Sequence, residues 1–376
     1  MNLRTKLSFI KGLITKRTPI YVQLAVSKNC NLRCLMCKAV ESRKDESELS
    51  LEQIGKLAKV LKSMGVGIIV LTGGEPLMRK DLPDVVRQFS SLGLEVRLQT
   101  NGLLATEEKI KALLEAGVRE VTLSLDTLDA KKQDAINNQD GSWDKTIRAL
   151  ALFSRLLPKI GNMTGVNTVV SRLNISEIPG IIKFVSALGF YSSLIPVHLT
   201  QSESADFIVR AEGDEFRFHK EDHALIDTVY ASVVRMKKQG YNVHNSTRFL
   251  KLSPVFLKYG RVNWACDSPN LYFSISPQGY FLPCVDLKGQ KSMLDDDFLE
   301  VFASAEFKKS VRRQVTTCPG CFYACYPEVS FFCRNPLTTL ERIIQGYRIS
   351  QTARIPLSYE DSLELARKIK ENSDLL

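Results

Sequence analysis

Nine cysteines carry most of the reactive chemistry in this chain of 376 residues, and they are unevenly spread. Three are packed into Cys30-Asn-Leu-Arg-Cys34-Leu-Met-Cys37, and six follow much later at Cys266, Cys284, Cys318, Cys321, Cys325 and Cys333. No export signal precedes them: Lys6, Lys11, Lys16 and Arg17 interrupt the apolar residues of the amino terminus. A cytoplasmic location is therefore expected, where a reducing milieu keeps thiols free for metal binding or catalysis. The spacing of the first three folds three thiolates onto one centre. A cubane iron–sulfur cluster usually takes four cysteines, so three leave one iron with a coordination position for another ligand. A zinc knuckle competes for the same spacing, but it needs a fourth ligand and no His or Cys follows nearby.

The elements that must position this loop are legible in the hydrophobic pattern. From Ile20 to about Thr200 short β-rich runs alternate with amphipathic helical stretches, the signature of repeated βα units around a parallel sheet. Six strands are expected, at 20–27, 67–72, 94–100, 120–124, 163–171 and 191–199, with crossover helices at 51–64, 82–91, 106–116, 143–157 and 178–188. Gly65, Gly93, Gly117 and Gly189 are placed as helix stops. Six units fall short of the eight that close a full barrel, so a partial (β/α)6 barrel is expected, with function at the carboxyl ends of its strands. The three-cysteine loop follows the first strand and so sits at that end.

Other signals lie at the same end. Gly73-Gly74-Glu75-Pro76 follows the second strand, Asn101-Gly102 the third, Ser124-Leu-Asp126 the fourth, and Asn167 lies in the fifth. Taken singly each is an ordinary turn or core residue; their joint order is not. Together with CxxxCxxC they resemble the radical S-adenosylmethionine (radical SAM) superfamily over roughly residues 20–200. The resemblance implies that Cys30, Cys34 and Cys37 hold a 4Fe–4S cluster whose open iron chelates S-adenosyl-L-methionine. One-electron reduction then cleaves the sulfonium to a 5′-deoxyadenosyl radical that abstracts hydrogen from substrate. Gly73, Gly74, Glu75, Pro76, Asn101, Ser124, Asp126 and Asn167 are, by the same resemblance, cofactor contacts. Met36 stands where the family commonly has an aromatic residue before the third cysteine.

The carboxyl-terminal cysteines read CX12GX4C and then CX2CX3CX7C, with Gly279 placed to turn a β-hairpin between Cys266 and Cys284. A zinc ribbon of Cys266, Cys284, Cys318 and Cys321 is one reading. The pattern also resembles the SPASM/twitch extension of radical SAM enzymes, which carries auxiliary iron–sulfur clusters. Six cysteines cannot supply two full four-thiolate sets, so one auxiliary 4Fe–4S cluster on those four residues is expected, with two clusters sharing six ligands as the alternative. Such clusters serve as electron conduits or substrate anchors, which points to a net oxidation or a radical-forged bond. Asp286, two residues after Cys284, resembles a proton acceptor of some dehydrogenases in this group, and His198 ends the sixth strand where barrel active sites form.

The organisation expected is a basic amphipathic segment over 1–19, the barrel over 20–240, a small cysteine-rich SPASM/twitch-like domain over 241–340, and a helical tail over 341–376. Hydrophobic residues at 44% and charged residues at 24% fit a globular chain and exclude disorder, collagen and coiled-coil rods. No run of 18 apolar residues suggests a membrane span. The formal charge of +10 favours anionic partners, yet the basic residues are scattered and form no recognition helix, so nucleic acid is not expected. Leu3, Leu7, Ile10 and Ile14 share one helical face beside lysines, so the amino-terminal segment could lie on an anionic membrane surface or pack on its own domain. About 20 residues precede the first strand, too few for a peptide leader-binding fold, which points to a small-molecule, sugar or lipid-linked substrate. A flavodoxin- or ferredoxin-type protein is the expected electron donor. The competing functions are a ribosomal-peptide or protein maturase of the same superfamily, and a non-catalytic iron–sulfur or zinc regulator.

Overall fold

The computed structural model describes residues 3–38, 47–157, 163–199, 211, 213–287, 289, 291–318, 320–352 and 355–371. Much of the polar stretch that follows the sixth strand, residues 200–210 and 212, lies outside them.

Six parallel strands form the frame: β1 (Tyr21–Ser27), β2 (Ile68–Gly73), β3 (Glu95–Thr100), β4 (Val118–Ser124), β5 (Met163–Val170) and β6 (Tyr191–Pro196). Helices α2 (Leu51–Met64), α3 (Leu82–Ser90), α4 (Glu107–Ala116), α5 (Ala130–Asn137), α6 (Ser142–Leu156) and α7 (Ile178–Ala187) make the crossovers. A further helix, α1 (Leu3–Thr15), precedes β1. The expected strands and crossovers are all present. The helix α5 is additional: its sequence has little amphipathic pattern, and it stands because Asp129 caps it and accepts from the Lys132 N–H at 3.0 Å.

The crossover helix α2 shows how the local sequence sets these elements. Ser50 and Gln53 exchange side-chain and backbone hydrogen bonds in a capping box, Gly65 ends the helix in the left-handed region, and Ile54, Leu57, Ala58 and Leu61 form the buried face between. Each large apolar side chain buried this way contributes about 1.5–3 kcal/mol. Along the strands alternate residues face opposite ways. Val22 and Leu24 of β1, Ile69 and Leu71 of β2, and Val121 and Leu123 of β4 pack in the main core, while Tyr21, Gln23, Val70, Thr72 and Thr122 line a central lumen.

The second half joins the same sheet. After α8 (His223–Gln239) and α9 (Thr247–Tyr259), strand β7 (Tyr272–Ile275) pairs in parallel with β1, Tyr21 to Leu24 matching Tyr272 to Ile275. Strand β8 (Phe281–Leu282) returns antiparallel to β7 around Gly279, whose φ of 88° a side chain would oppose. The sheet order is therefore β6-β5-β4-β3-β2-β1-β7-β8, and the expected hairpin is an extension of the barrel wall. Helices α10 (Phe298–Ala303), α11 (Ala305–Thr317), α12 (Cys325–Arg334), α13 (Pro336–Gln351) and α14 (Tyr359–Glu371) follow, and α14 returns to pack on α6 and α7.

Candidate functional site

The three-cysteine loop hangs from the carboxyl end of β1 and is gripped from two sides. On one side the Leu35 N–H donates to the Ile136 carbonyl at 2.9 Å, and the Cys34 thiol reaches Asn137 Oδ1 at 3.5 Å, both at the end of α5. On the other, the Gly74 N–H donates to the Ser27 carbonyl at 2.8 Å and the Glu75 N–H to the Asn29 carbonyl at 2.7 Å. The three thiols lie within electrostatic reach of one another: burial pushes the Cys34 thiol above its ordinary value, and neighbouring Cys37 and Cys30 add to the shift. Burial likewise pushes Cys30 up to about 11. Three half-buried thiols held side by side are a donor set that the positive charge of a metal cluster would stabilise as thiolates.

The glycine pair has a more specific task than exposing backbone. A Cβ on Gly73 would stand 2.3 Å from the Ser27 carbonyl oxygen, and one on Gly74 would stand 2.0 Å from that of Asn29. The two glycines let the second loop lie directly against the cysteine loop. Glu75 is a buried strut: its carboxylate accepts from the Leu77 N–H at 2.9 Å, the Thr100 hydroxyl at 2.6 Å and the Asn101 N–H at 2.8 Å. Pro76 opens the short turn that follows and is buried. The Asn101 amide continues the grip by donating to Asn31 Oδ1 at 2.8 Å and reaching Cys30 Sγ at 3.9 Å.

Two residues at the carboxyl end of β4 and just beyond it part company. Ser124 is exposed at the strand end, opposite Asn167 in the register of β5, and Asn167 lines the lumen while its amide donates to the Thr122 hydroxyl at 3.3 Å. Asp126 turns inward instead. It is 5% exposed and accepts from the Val169 N–H at 2.8 Å, and burial raises its carboxyl to about 6. Its place is in the β4–β5 junction, one step behind any ligand surface.

The carboxyl-terminal cysteines separate into three positions. Cys266 and Cys284 lie within electrostatic reach of each other and of both Cys318 and Cys321; burial is the main cause of the raised thiols of Cys266, Cys284 and Cys321. Cys325, at the start of α12, faces the lumen near Tyr21 and Gln23, its thiol pushed by burial up to about 12. Cys333 is buried at the far end of α12 beside Asp267, with Lys16 and Arg334 as its cationic neighbours. Among the described residues no three His, Cys, Asp or Glu side chains close on a point where a single ion could sit.

Asp286 and His198 meet through a residue the sequence did not single out. The Tyr323 hydroxyl donates to Asp286 Oδ1 at 3.1 Å, and its ring stacks on His198 with centroids 3.6 Å apart. Asp286 adds its charge to Cys284, Cys321 and Cys325. His198 is 3% exposed, and its Nε2 accepts from the Phe322 N–H at 2.8 Å, so it fastens the end of β6 to the cysteine-bearing segment. Tyr323 could have been found as the hydroxyl-bearing one of the two aromatic residues between Cys321 and Cys325. The floor of the lumen holds a second unforeseen group: Arg97 pairs with Glu95 at 2.9 Å and Glu120 at 3.0 Å, and the Tyr191 hydroxyl donates to Glu120 at 2.5 Å. Charged residues at alternate positions of strands otherwise apolar were the available signal.

Part of this set borders one cavity of about 690 Å³, with His198, Arg97, Glu120 and Tyr191 in its wall. Met36 of the cysteine loop and Val285, Tyr323 and Cys325 of the carboxyl-terminal segment line it together, with Gln23, Thr122 and Asn167 between them. Residues 24–185 match the family model described as the Radical SAM superfamily. These residues are a radical SAM domain. The protein is accordingly an enzyme of the kind that uses a 4Fe–4S cluster and S-adenosylmethionine, and the cysteine loop with its braces fits that cluster.

Among similar proteins, an AdoMet-dependent heme synthase of Methanosarcina barkeri is 25% identical over 331 residues, covering 84% of this chain and 91% of that protein. A GTP 3′,8-cyclase of Chlorobaculum tepidum is 37% identical over 170 residues, 44% of this chain and 50% of the cyclase. The chain thus spans about half of the cyclase and nearly all of the heme synthase. In fold, Streptococcus suis SuiB bound to S-adenosylmethionine aligns with a TM-score of 0.61 at 17% identity, over 81% of this chain and 73% of SuiB. The structure of anSMEcpe with bound AdoMet and the Cp18Cys peptide aligns with a TM-score of 0.56 at 16% identity, over 95% of this chain and 99% of that one. The alignments run well past the radical SAM domain, so the carboxyl-terminal region shares the fold of these neighbours as well.

Proposed function

We propose that this radical SAM enzyme abstracts hydrogen from a small-molecule, sugar or lipid-linked substrate held in the lumen, and that an auxiliary 4Fe–4S cluster on Cys266, Cys284, Cys318 and Cys321 accepts the second electron. One observation carries the reading: a single cavity touches both the loop of Cys30, Cys34 and Cys37 and the segment bearing the second cysteine group. When bound, the first cluster and S-adenosylmethionine supply a 5′-deoxyadenosyl radical. Loss of one hydrogen atom, one electron and one proton from the substrate would amount to a net two-electron oxidation or a new bond; Cys266, Cys284, Cys318 and Cys321 would hold the group that takes the electron, and a side-chain base would take the proton.

The chain's own residues order this sequence. Gly74, Glu75 and Asn101 hold the cysteine loop against β2 and β3, while half-buried Asn167 offers a polar group to the lumen and Ser124 one at the exposed end of β4. Asp286, beside Cys284 and next to the lumen-lining Val285, is the candidate proton acceptor, with Tyr323 donating to it and His198 fixing the Tyr323 ring by stacking. Electrons reach the first cluster from a flavodoxin- or ferredoxin-type donor.

The test is anaerobic iron and sulfide quantification with EPR on the wild type, on Cys30→Ala/Cys34→Ala/Cys37→Ala and on Cys266→Ala/Cys284→Ala. About eight irons in the wild type and about four in each variant are expected. The second variant should still convert S-adenosylmethionine to 5′-deoxyadenosine. About four irons in the wild type, all lost with the first three cysteines, would remove the auxiliary cluster and with it the oxidation.

A further inference from the structure

Two helices of this protein are turned inside out. In α1 the buried residues are Thr5, Ser8 and Gly12, whereas Leu3, Leu7, Ile10 and Ile14 are 73%, 56%, 52% and 77% exposed. A surface helix normally presents the opposite arrangement. The inversion is built in: the Thr5 hydroxyl donates to the Gly67 carbonyl at 3.2 Å and the Ser8 hydroxyl to that of Gly65 at 2.7 Å. Arg4 donates to the carbonyls of Leu92 at 3.1 Å and Lys62 at 2.9 Å. A Cβ on Gly12 would meet Ile20 at 2.6 Å, so the small face must be the inner one.

The helix α13 repeats the pattern. Its buried residues are Thr338 and Ile349, and Leu337, Leu340, Ile343, Ile344 and Tyr347 are all more than half exposed. Nine of the 17 large exposed apolar residues of the described chain thus sit on these two helices. They are linked through α12, where Phe332 meets the Phe9 ring of α1 edge-on at 5.5 Å. Both also border the same opening: Lys6, Phe9 and Ile10 from α1, and Ile343 and Tyr347 from α13, line the lumen. Scattered apolar residues on a surface need no explanation, but a concentrated patch of this kind does.

We propose that the face formed by α1 and α13 seats this protein on an anionic phospholipid bilayer, with the mouth of the lumen turned toward the lipid. Charge selects this occupant. Lys6, Lys11, Lys16 and Arg17 are exposed along and just after α1, so cations flank the apolar stripe as they do in helices that lie in a membrane interface. No helix among the described residues is long and apolar enough to cross a membrane, so this is surface attachment. The geometry also narrows the substrate to an amphiphile able to enter from the bilayer, a part that rests on the radical reading above.

The test is co-flotation of the reconstituted full chain with phosphatidylglycerol vesicles, with phosphatidylcholine vesicles as comparison. Two variants are added: Leu7→Gln/Ile14→Gln/Leu340→Gln/Ile344→Gln, and Lys11→Gln/Arg17→Gln. These side chains do not line the lumen, and exposed positions tolerate such changes. The wild type is expected to float with phosphatidylglycerol and much less with phosphatidylcholine. The charge variant should bind about 25-fold more weakly, about fivefold per cation removed, and the apolar variant should stay in the aqueous fraction. Both should form 5′-deoxyadenosine from S-adenosylmethionine at the wild-type rate. A wild type that stays in solution, or an apolar variant that floats equally well, overturns the membrane proposal while leaving the radical reading intact. An apolar variant that changes only the oligomeric state in sedimentation velocity overturns it in favour of self-association. A wild type that floats but never forms 5′-deoxyadenosine overturns the radical reading alone.

Discussion

Gly74→Ala is the smallest change that tests how the catalytic loop is held. The new methyl would lie 2.0 Å from the Asn29 carbonyl oxygen, 2.5 Å from its carbon and 3.1 Å from the Cys30 nitrogen. All three are backbone atoms, so no rotamer change relieves the clash. Separating the oxygen to an ordinary 3.4 Å moves one loop against the other by about 1.4 Å. That movement strains the bonds from Gly74 N–H to Ser27 and from Glu75 N–H to Asn29, each contributing about 1 kcal/mol. Overpacking adds about 1–3 kcal/mol, giving a total of about 3–5 kcal/mol. Against a typical stability of about 5–15 kcal/mol the chain stays folded and the loop yields. Cys30 moves with it, and a misplacement of about 1 Å lowers a rate by about 100-fold. The assay is iron bound per chain after anaerobic reconstitution, together with 5′-deoxyadenosine formed from S-adenosylmethionine under dithionite. Gly346→Ala serves as the comparison, since its Cβ meets nothing within 4 Å; in the middle of α13 it is expected to stabilise by about 0.4–1 kcal/mol and to leave the clusters unchanged. A Gly74→Ala protein with full iron content and a rate within twofold of the wild type would refute the argument.

Two further outcomes follow from buried groups. His198→Phe keeps an aromatic ring against Tyr323 but leaves the Phe322 N–H without its acceptor, so chemical denaturation should show a loss of about 1–3 kcal/mol with iron content unchanged; a variant as stable as the wild type would mean that the bond contributes nothing. Lys237 joins α8 to α13 through Gln345 at 2.7 Å and Glu341 at 3.2 Å, and burial lowers its ammonium from 10.5 to about 8, with Glu341 opposing the shift. Because the folded value is the lower one, the unfolded chain binds more protons between pH 8 and 10.5, and stability should rise by up to about 3 kcal/mol across that window. Comparing urea midpoints of wild type and Lys237→Met from pH 7 to 10.5 isolates this contribution; parallel curves would show that Lys237 titrates normally.

Much of the site was readable because its determinants are local. The spacing of Cys30, Cys34 and Cys37, the glycine pair after β2, and the βα period with its capping residues are short-range patterns, and local backbone and helix physics act on them directly. In the carboxyl-terminal half, Gly279 and the CX2C spacing are the local marks, and the hairpin at Gly279 forms as expected. What the residues do inside the site was less legible. Glu75 and Asp126 fall in motif positions that suggest cofactor contact, yet the structure directs both carboxylates to backbone N–H groups. A motif tells where a side chain is in the chain; which way a buried carboxylate points depends on donors brought from other strands.

The amino-acid sequence alone determined that the chain is a partial βα barrel with a thiol-rich loop after its first strand, because period, caps and cysteine spacing are written within a few residues of one another. Tertiary structure decided the remainder. Only pairing between β1 and β7, 251 positions apart for Tyr21 and Tyr272, brings Val285 and Tyr323 of the second cysteine-bearing segment to the lumen that Met36 of the first loop lines. Only packing shows that Tyr323 links Asp286 to His198, that Cys325 faces the lumen while Cys333 is buried beside Asp267, and that α1 turns its small face inward. These are long-range choices, made when non-local contacts compete for the same buried space, and no window of the sequence contains both competitors.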